Sequence, residues 1–271
     1  MQLEYINMKS PLKRETEDAY VINKVRNIYG VFDGATPLTS FKDEALHNGA
    51  YLAANLFRAY FEQLGGTAGE ISLVEAVIQA NGLLRRKMEF HQVDLGNRHH
   101  LWSTCAALVE IKENSIEYAQ LGDCMVIAGY KDGKIAVLTK DTVRDISGRA
   151  REKRNRDRQI GLDVPGEETF NHPQNSLIYN RSMANTPEGY SVANGMPEVK
   201  DYIQYGIIER FNLGYLLIIT DGLFYSGRSL EFTFSRVKEI GLQQYAKELL
   251  KLEHENGLKI DDKTGIFLKL L

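Results

Sequence analysis

Short runs rich in β-branched and aromatic residues dominate this sequence, and they come in clusters instead of alternating one-for-one with helices. Asp18–Asn23 (DAYVIN) and residues 28–32 (IYGVF) flank a polar turn and predict a hairpin. Residues 103–111, 115–121 and 125–130 follow in succession, and a Lys131-Asp132-Gly133 turn leads into 134–138, the pattern of a meander. Residues 203–211 and 215–220 predict another hairpin around Asn212-Leu213-Gly214, and 265–270 a closing strand. Between these clusters, Gly49, Leu52, Ala53, Leu56, Phe57, Tyr60, Phe61 and Leu64 recur at three- and four-residue steps, an amphipathic helix ended by Gly65-Gly66. Ser72 and Glu75 have capping-box spacing and open a helix carrying Leu73, Val77, Leu84 and Met88 on one face. Two short helices fill 229–253, split near Gly241. Strands grouped this way predict an α+β fold and not a doubly wound parallel sheet.

A chain of 271 residues can bury a full core without disulfides or a structural metal. With neither an internal repeat nor a Pro/Gly/Ser-rich linker, one domain spanning 1–271 is expected. Lys+Arg 33 against Asp+Glu 36 gives a net charge of -3, which disfavours a generally basic nucleic-acid binder. Cys105 and Cys124 make no disulfide framework, so reduced thiols and a cytoplasmic location are expected. The opening MQLEYINMKSPLKRETED has neither the apolar core nor the cleavage site of a signal peptide. The apolar stretch 215–220 is far too short to span a bilayer, so no membrane partner is expected.

The aspartates carry the functional signal. Asp33 follows IYGVF, Asp123 follows AQLG, Asp221 follows YLLIIT, Asp261 precedes KTGIFL, and Asp18 starts a strand of its own. Three have a glycine beside them: Asp33-Gly34, Gly122-Asp123 and Asp221-Gly222. Strand ends deliver side chains rigidly to one rim of a sheet, and a neighbouring glycine lets backbone or a hydrated ion approach closely. A single Asp-Gly pair is ordinarily a hairpin turn. Turn chemistry does not account for four such aspartates at the ends of strongly apolar strands. Carboxylates gathered on one rim repel one another unless a cation neutralises them. Oxygen ligands without supporting His or Cys suit Mg²⁺ or Mn²⁺ better than Zn²⁺.

In chain order, TEDAYVI around Glu17-Asp18, YGVFDGAT around Asp33-Gly34, WSTCAAL around Ser103-Thr104, QLGDCMV, LLIITDGL and IDDKTGIFL resemble the type 2C metal-dependent Ser/Thr protein phosphatases. The resemblance spans about Lys13 to Leu270 and is that of a divergent, bacterial-style member. It implies two antiparallel β-sheets packed as a sandwich, with helices on both outer faces and a two-metal site at one end. It also implies that Asp33 bridges both ions, that the Gly34 carbonyl binds one, and that Asp221 and Asp261 hold the other. Asp18, with Glu17, would hold metal-bound waters, and Asp123 with Asp221 matches the place of a third metal in some relatives. The implied substrate is a phosphorylated protein, cleaved at phosphoserine or phosphothreonine. The family's phosphate-binding Arg, five residues before the first Asp, is replaced by Lys13 with Arg14 beside it. A lysine binds phosphate as a point charge where Arg offers a bidentate fork.

Two departures are plain. Met125 stands where the family has an Arg after the Gly-Asp pair, and residues 141–205 lack the familiar Thr-Arg-Ala-Leu-Gly-Asp-like segment. These motivate two alternatives: a phosphatase-like domain that binds a phosphorylated partner without hydrolysis, and a phosphatase of small metabolites. Other phosphatase chemistries fail on spacing. A Cys-x5-Arg loop would need Arg at Ile111 or Tyr130, a D-x-D nucleophile motif an Asp at Ala35 or Leu223, and a P-loop four residues between Gly129 and Gly133. His99 and His100, adjacent before a strand, face opposite ways on an extended chain and are poor joint ligands. The basic segment 149–158 (RAREKRNRDR) is expected to be a solvated helix face or flap.

Overall fold

The computed structural model describes residues 1–66 and 71–270. Its strands, in chain order, are β1 (Gln2–Met8), β2 (Asp18–Asn23), β3 (Ile28–Gly34), β4 (Thr104–Ile111), β5 (Ser115–Leu121), β6 (Met125–Tyr130), β7 (Ile135–Val137), β8 (Gln204–Glu209), β9 (Leu213–Ile219) and β10 (Lys263–Lys269). The helices are α1 (Gly49–Gln63), α2 (Leu73–Phe90), α3 (Ile146–Gln159), α4 (Pro173–Ser182), α5 (Leu230–Ile240) and α6 (Leu242–Glu255). Two five-stranded sheets form, in the orders β1-β10-β9-β6-β7 and β2-β3-β4-β5-β8, and every pairing is antiparallel.

Alternation along each central strand explains the layering. On β3, Ile28 and Phe32 face α1 and α2, whereas Tyr29 and Val31 face the other sheet. On β9, Leu216 and Ile218 point between the sheets, and Leu217 and Ile219 point to α5 and α6. Both faces are buried, which is why these strands read as continuous apolar runs. Helices therefore cover both outer faces of a sandwich, the α+β architecture that the strand grouping and the resemblance imply. Leu73, Val77, Leu84 and Met88 are buried on α2, and the Ser72–Glu75 capping box forms at its start. No described helix is long and apolar enough to cross a membrane.

Two local expectations are corrected. Residues 203–211 and 215–220 are not a hairpin: β8 pairs with β5 in one sheet and β9 with β10 and β6 in the other. β8 alternates between half-buried and exposed as an edge strand does, while β9 is apolar on both faces and takes a central place. The meander 103–138 is likewise broken after β5. Gly122, at φ +81°, turns the chain from one sheet to the other, and a Cβ there would lie 2.1 Å from the Cys105 Sγ. Antiparallel pairing then sets the ends of β3, β5 and β9 level with the starts of β2, β4, β6 and β10, so all five predicted aspartates reach one end of the sandwich.

Candidate metal centre

Asp18 opens β2 directly opposite Asp33 at the end of β3, and Cys105 of β4 pairs with Asp33 from the other side. From the second sheet, the Thr220 hydroxyl donates to Asp18 Oδ2 at 2.9 Å, which ties the end of β9 to the start of β2. Asp221 follows Thr220, close enough for its charge to act on Asp33. Asp123, beyond the end of β5, lies close enough to Cys105 and Asp221 for their charges to act on one another. Four acids from four strand ends thus meet across the gap between the sheets.

The position of Gly34 is set by crowding: a Cβ there would lie 2.4 Å from the Ala50 carbonyl oxygen and 2.7 Å from that of Glu17. The start of α1 and the loop before β2 both close on this residue, which leaves room for glycine alone.

The charges oppose one another. Burial, then Asp262 and Asp221, push Asp18 up to about 8. Burial, then Asp18, Asp221 and Asp123, raise Asp33 well above the usual carboxylate range. Burial and Asp221 push Asp123 to about 7, and burial and Asp261 raise Asp221. Asp221 is exposed as a residue although neighbouring protein crowds its carboxyl, and Asp33 and Asp123 are half-buried. Asp261 differs. Burial would raise it, but hydrogen bonds from Lys259 (2.7 Å) and Lys13 (3.0 Å) hold it at about 2.

Among the described residues no group of three or more His, Cys, Asp and Glu side chains is already gathered closely enough to hold a metal ion. The donor set nevertheless fits a hard divalent cation. It is carboxylate oxygen, and Asp123 Oδ1 is buried without a hydrogen-bond partner among the described residues, an acceptor that a cation would satisfy.

The remaining predicted residues are sorted by their contacts. Lys13 is brought in: its ammonium lies 2.9 Å from Glu17, 3.0 Å from Asp261 and 3.0 Å from Asp262, and these acids hold it charged against the pull of burial. Glu17 is buried, with its oxygens taken by Lys13, the Thr36 hydroxyl and the Asn48 amide. Arg14 stands apart, exposed, with its guanidinium 3.4 Å from the Leu46 carbonyl.

Three residues at the rim were given no site role from the sequence, Asp262 being noted there only as part of the IDDKTGIFL motif. Asp262, next to the predicted Asp261, is buried and accepts from the backbone N–H of Ser10 and of Glu17, each at 2.7 Å. Asp141 caps the turn after β7 through the Val143 and Arg144 N–H groups and adds its charge to Asp123 and Asp221. It lies four residues past the end of β7 with no glycine beside it, so the strand-end signal of the other acids does not mark it. Arg181 reaches from α4 to the Ser103 hydroxyl and the Thr36 carbonyl, each at 2.9 Å. Nothing local in the sequence marks it.

A sequence model of the family described as "Protein phosphatase 2C" matches residues 16–259. No curated protein matches the chain. Among solved structures, the chain is similar to the serine/threonine phosphatase Stp1 from Staphylococcus aureus, with 18% identity, TM-score 0.63, and coverage of 100% of this chain and 95% of that one. It is similar to the serine/threonine phosphatase PstP/Ppp of Mycobacterium tuberculosis, at 18% identity and TM-score 0.63, covering 99% and 98%. The catalytic domain of PstP, solved in complex with two manganese ions, aligns at 16% identity and TM-score 0.61, covering 98% and 96%. At such identities these structures bear on the fold.

Proposed function

The chain belongs to the protein phosphatase 2C family, and we propose that the acidic rim is its catalytic centre, hydrolysing phosphoserine and phosphothreonine in proteins with two bound Mg²⁺ or Mn²⁺ ions. One observation carries this reading: carboxyl groups from four strand ends stand on a single rim, where Asp123 Oδ1 is buried with no hydrogen-bond partner among the described residues. Residues 1–271 act as one catalytic unit in this account.

Asp33 and the Gly34 carbonyl, with Asp221 and Asp261, would hold the two ions, and Asp123 with Asp221 a third. Such ions, when bound, supply an activated water for in-line displacement at phosphorus and neutralise the charge developing on the phosphate. The chain contributes position and charge. Asp18, fixed by Thr220, faces Asp33 and would orient water beside the ions through its carboxylate. Glu17 holds Lys13 at the rim, where the ammonium balances Asp261 and offers a point charge to the substrate phosphate. Arg14, exposed on the same loop, meets the substrate outside the acid cluster. Cys105, beside these acids, is held neutral, since burial, Asp123 and Asp33 push its thiol well up.

The test is calorimetric titration of chelator-treated protein with Mn²⁺, together with turnover of a phosphothreonine peptide. Asp33→Asn should weaken Mn²⁺ binding by at least about tenfold, the loss that even outer-shell changes produce at metal sites, and turnover should disappear. Unchanged Mn²⁺ affinity in Asp33→Asn would remove Asp33 from the metal site. Tight phosphopeptide binding with no turnover in Mn²⁺ would replace the enzyme with the non-hydrolysing binding domain.

A further inference from the structure

Beside the acidic rim, between the Asp221–Leu223 turn, α6 and the segment leading into β10, lies a pocket of about 290 Å³. Asp221 and Asp261, two of the candidate metal ligands, form part of its wall. The pocket therefore opens where a phosphate on the metals would lie. Four apolar side chains share the lining with the polar groups of Ser226, Glu253 and Lys259: Phe224 from one side, Leu249 and Leu252 from α6, and Leu258 from beyond the helix end.

Apart from Asp221, the charges lining this space are already paired. Glu253 is neutralised by the buried Lys263 ammonium at 2.7 Å, and Lys259 and Asp261 neutralise each other at the mouth, also at 2.7 Å. Of the charged side chains in the lining, Asp221 alone has no ion-pair partner among the described residues, and it is one of the candidate metal ligands. The volume lies just below the ~300–1,000 Å³ of sites for cofactors and drug-sized ligands, with ample room for an amino-acid side chain. We propose that this pocket is a specificity subsite that takes an apolar side chain of the substrate protein within two residues of the phosphorylated one. Successive residues of an extended chain are ~3.3–3.8 Å apart, so neighbours of the phosphorylated residue reach a wall shared with the metal ligands. The inference rests on the phosphatase reading above and adds the sequence class of the substrate.

The experiment is a panel of phosphothreonine peptides with Leu, Gly or Glu at each of the two positions before and after the phosphorylated residue. It is run in Mn²⁺ beside p-nitrophenyl phosphate. Full burial of one Leu side chain corresponds to about tenfold or more in kcat/KM. Wild type should show that Leu-over-Gly ratio at one position, with Glu there the poorest. Leu258 is 41% exposed, so Leu258→Asp leaves the core intact, and it should bring the ratio below about twofold. Circular dichroism checks that the variant is folded. Turnover of p-nitrophenyl phosphate with no Leu preference at any position, or a preference untouched by Leu258→Asp, overturns the subsite and leaves the phosphatase standing. No turnover of either substrate class overturns the phosphatase reading and the subsite with it.

Discussion

Replacing Asp262 by asparagine should destabilise the fold, whereas the same change at Asp261, one residue earlier, should mainly cost metal. Both oxygens of Asp262 are acceptors only: Oδ1 takes the Ser10 N–H at 2.7 Å, and Oδ2 takes the Glu17 N–H at 2.7 Å and the Lys13 ammonium at 3.0 Å. These bonds fasten both ends of the loop joining β1 to β2 onto the start of β10. An asparagine turns one of the two oxygens into a donor, which then faces a backbone N–H. The loss is a hydrogen bond to a charged acceptor and the appearance of a buried unpaired N–H, about 2–4 kcal/mol together. At ~2–4 °C per kcal/mol for a chain of this size, the melting temperature should fall by about 4–16 °C. Asp261 keeps 30% of its side-chain surface, and its partners are two lysines at the rim. Asp261→Asn should therefore cost within about 1 kcal/mol while weakening Mn²⁺ binding at least about tenfold. Thermal and urea unfolding in EDTA, followed by Mn²⁺ calorimetry, separates the two. An Asp262→Asn protein melting within about 2 °C of wild type, or an Asp261→Asn protein that is the less stable of the pair, would refute the reasoning.

In EDTA the protein should lose stability as the pH rises. Asp18 at about 8 and Asp123 at about 7 hold their protons more tightly in the folded chain than in the unfolded one. Their stabilising contribution is complete below the unfolded carboxyl value of ~3.9 and is lost as pH rises through 7 to 8. The melting temperature in EDTA should fall between about pH 5.5 and about pH 8.5, and saturating Mn²⁺ should remove the fall; a flat or rising curve in EDTA contradicts it. Far from the rim, Glu110→Gln breaks the ion pair with Arg26, whose two side chains are fully buried at 2.7 Å. Urea unfolding should show a loss of about 3–5 kcal/mol with Mn²⁺ affinity unchanged.

The acids were legible because strand ends are written locally: an apolar run, then Asp beside Gly. What sat between those runs was less so. The step from β5 to β6 looks like a tight meander until Gly122 carries the chain into the other sheet, and the turn between β8 and β9 hides the same crossing. β1 carries little apolar signal because its edge position buries few of its residues. Helix α3 buries only Ala150 and Arg154, so no apolar face announces it. Its order comes from tertiary contacts, with the Arg154 guanidinium bonded to Glu167 and stacked 3.9 Å from the Phe170 ring centre. Asp262 was invisible as a structural residue because its partners, Ser10 and Glu17, lie some 250 positions away in sequence.

The measurement that bears most directly on the central claim is hydrolysis of p-nitrophenyl phosphate by the chelator-treated protein in EDTA, Mg²⁺ and Mn²⁺, beside Asp33→Asn. The account predicts no turnover in EDTA, turnover restored by Mg²⁺ or Mn²⁺, and a loss of at least about a thousandfold in the variant, the factor matching several kcal/mol of lost metal assistance. Turnover that persists in EDTA, or metal-dependent turnover that survives in Asp33→Asn, would contradict it.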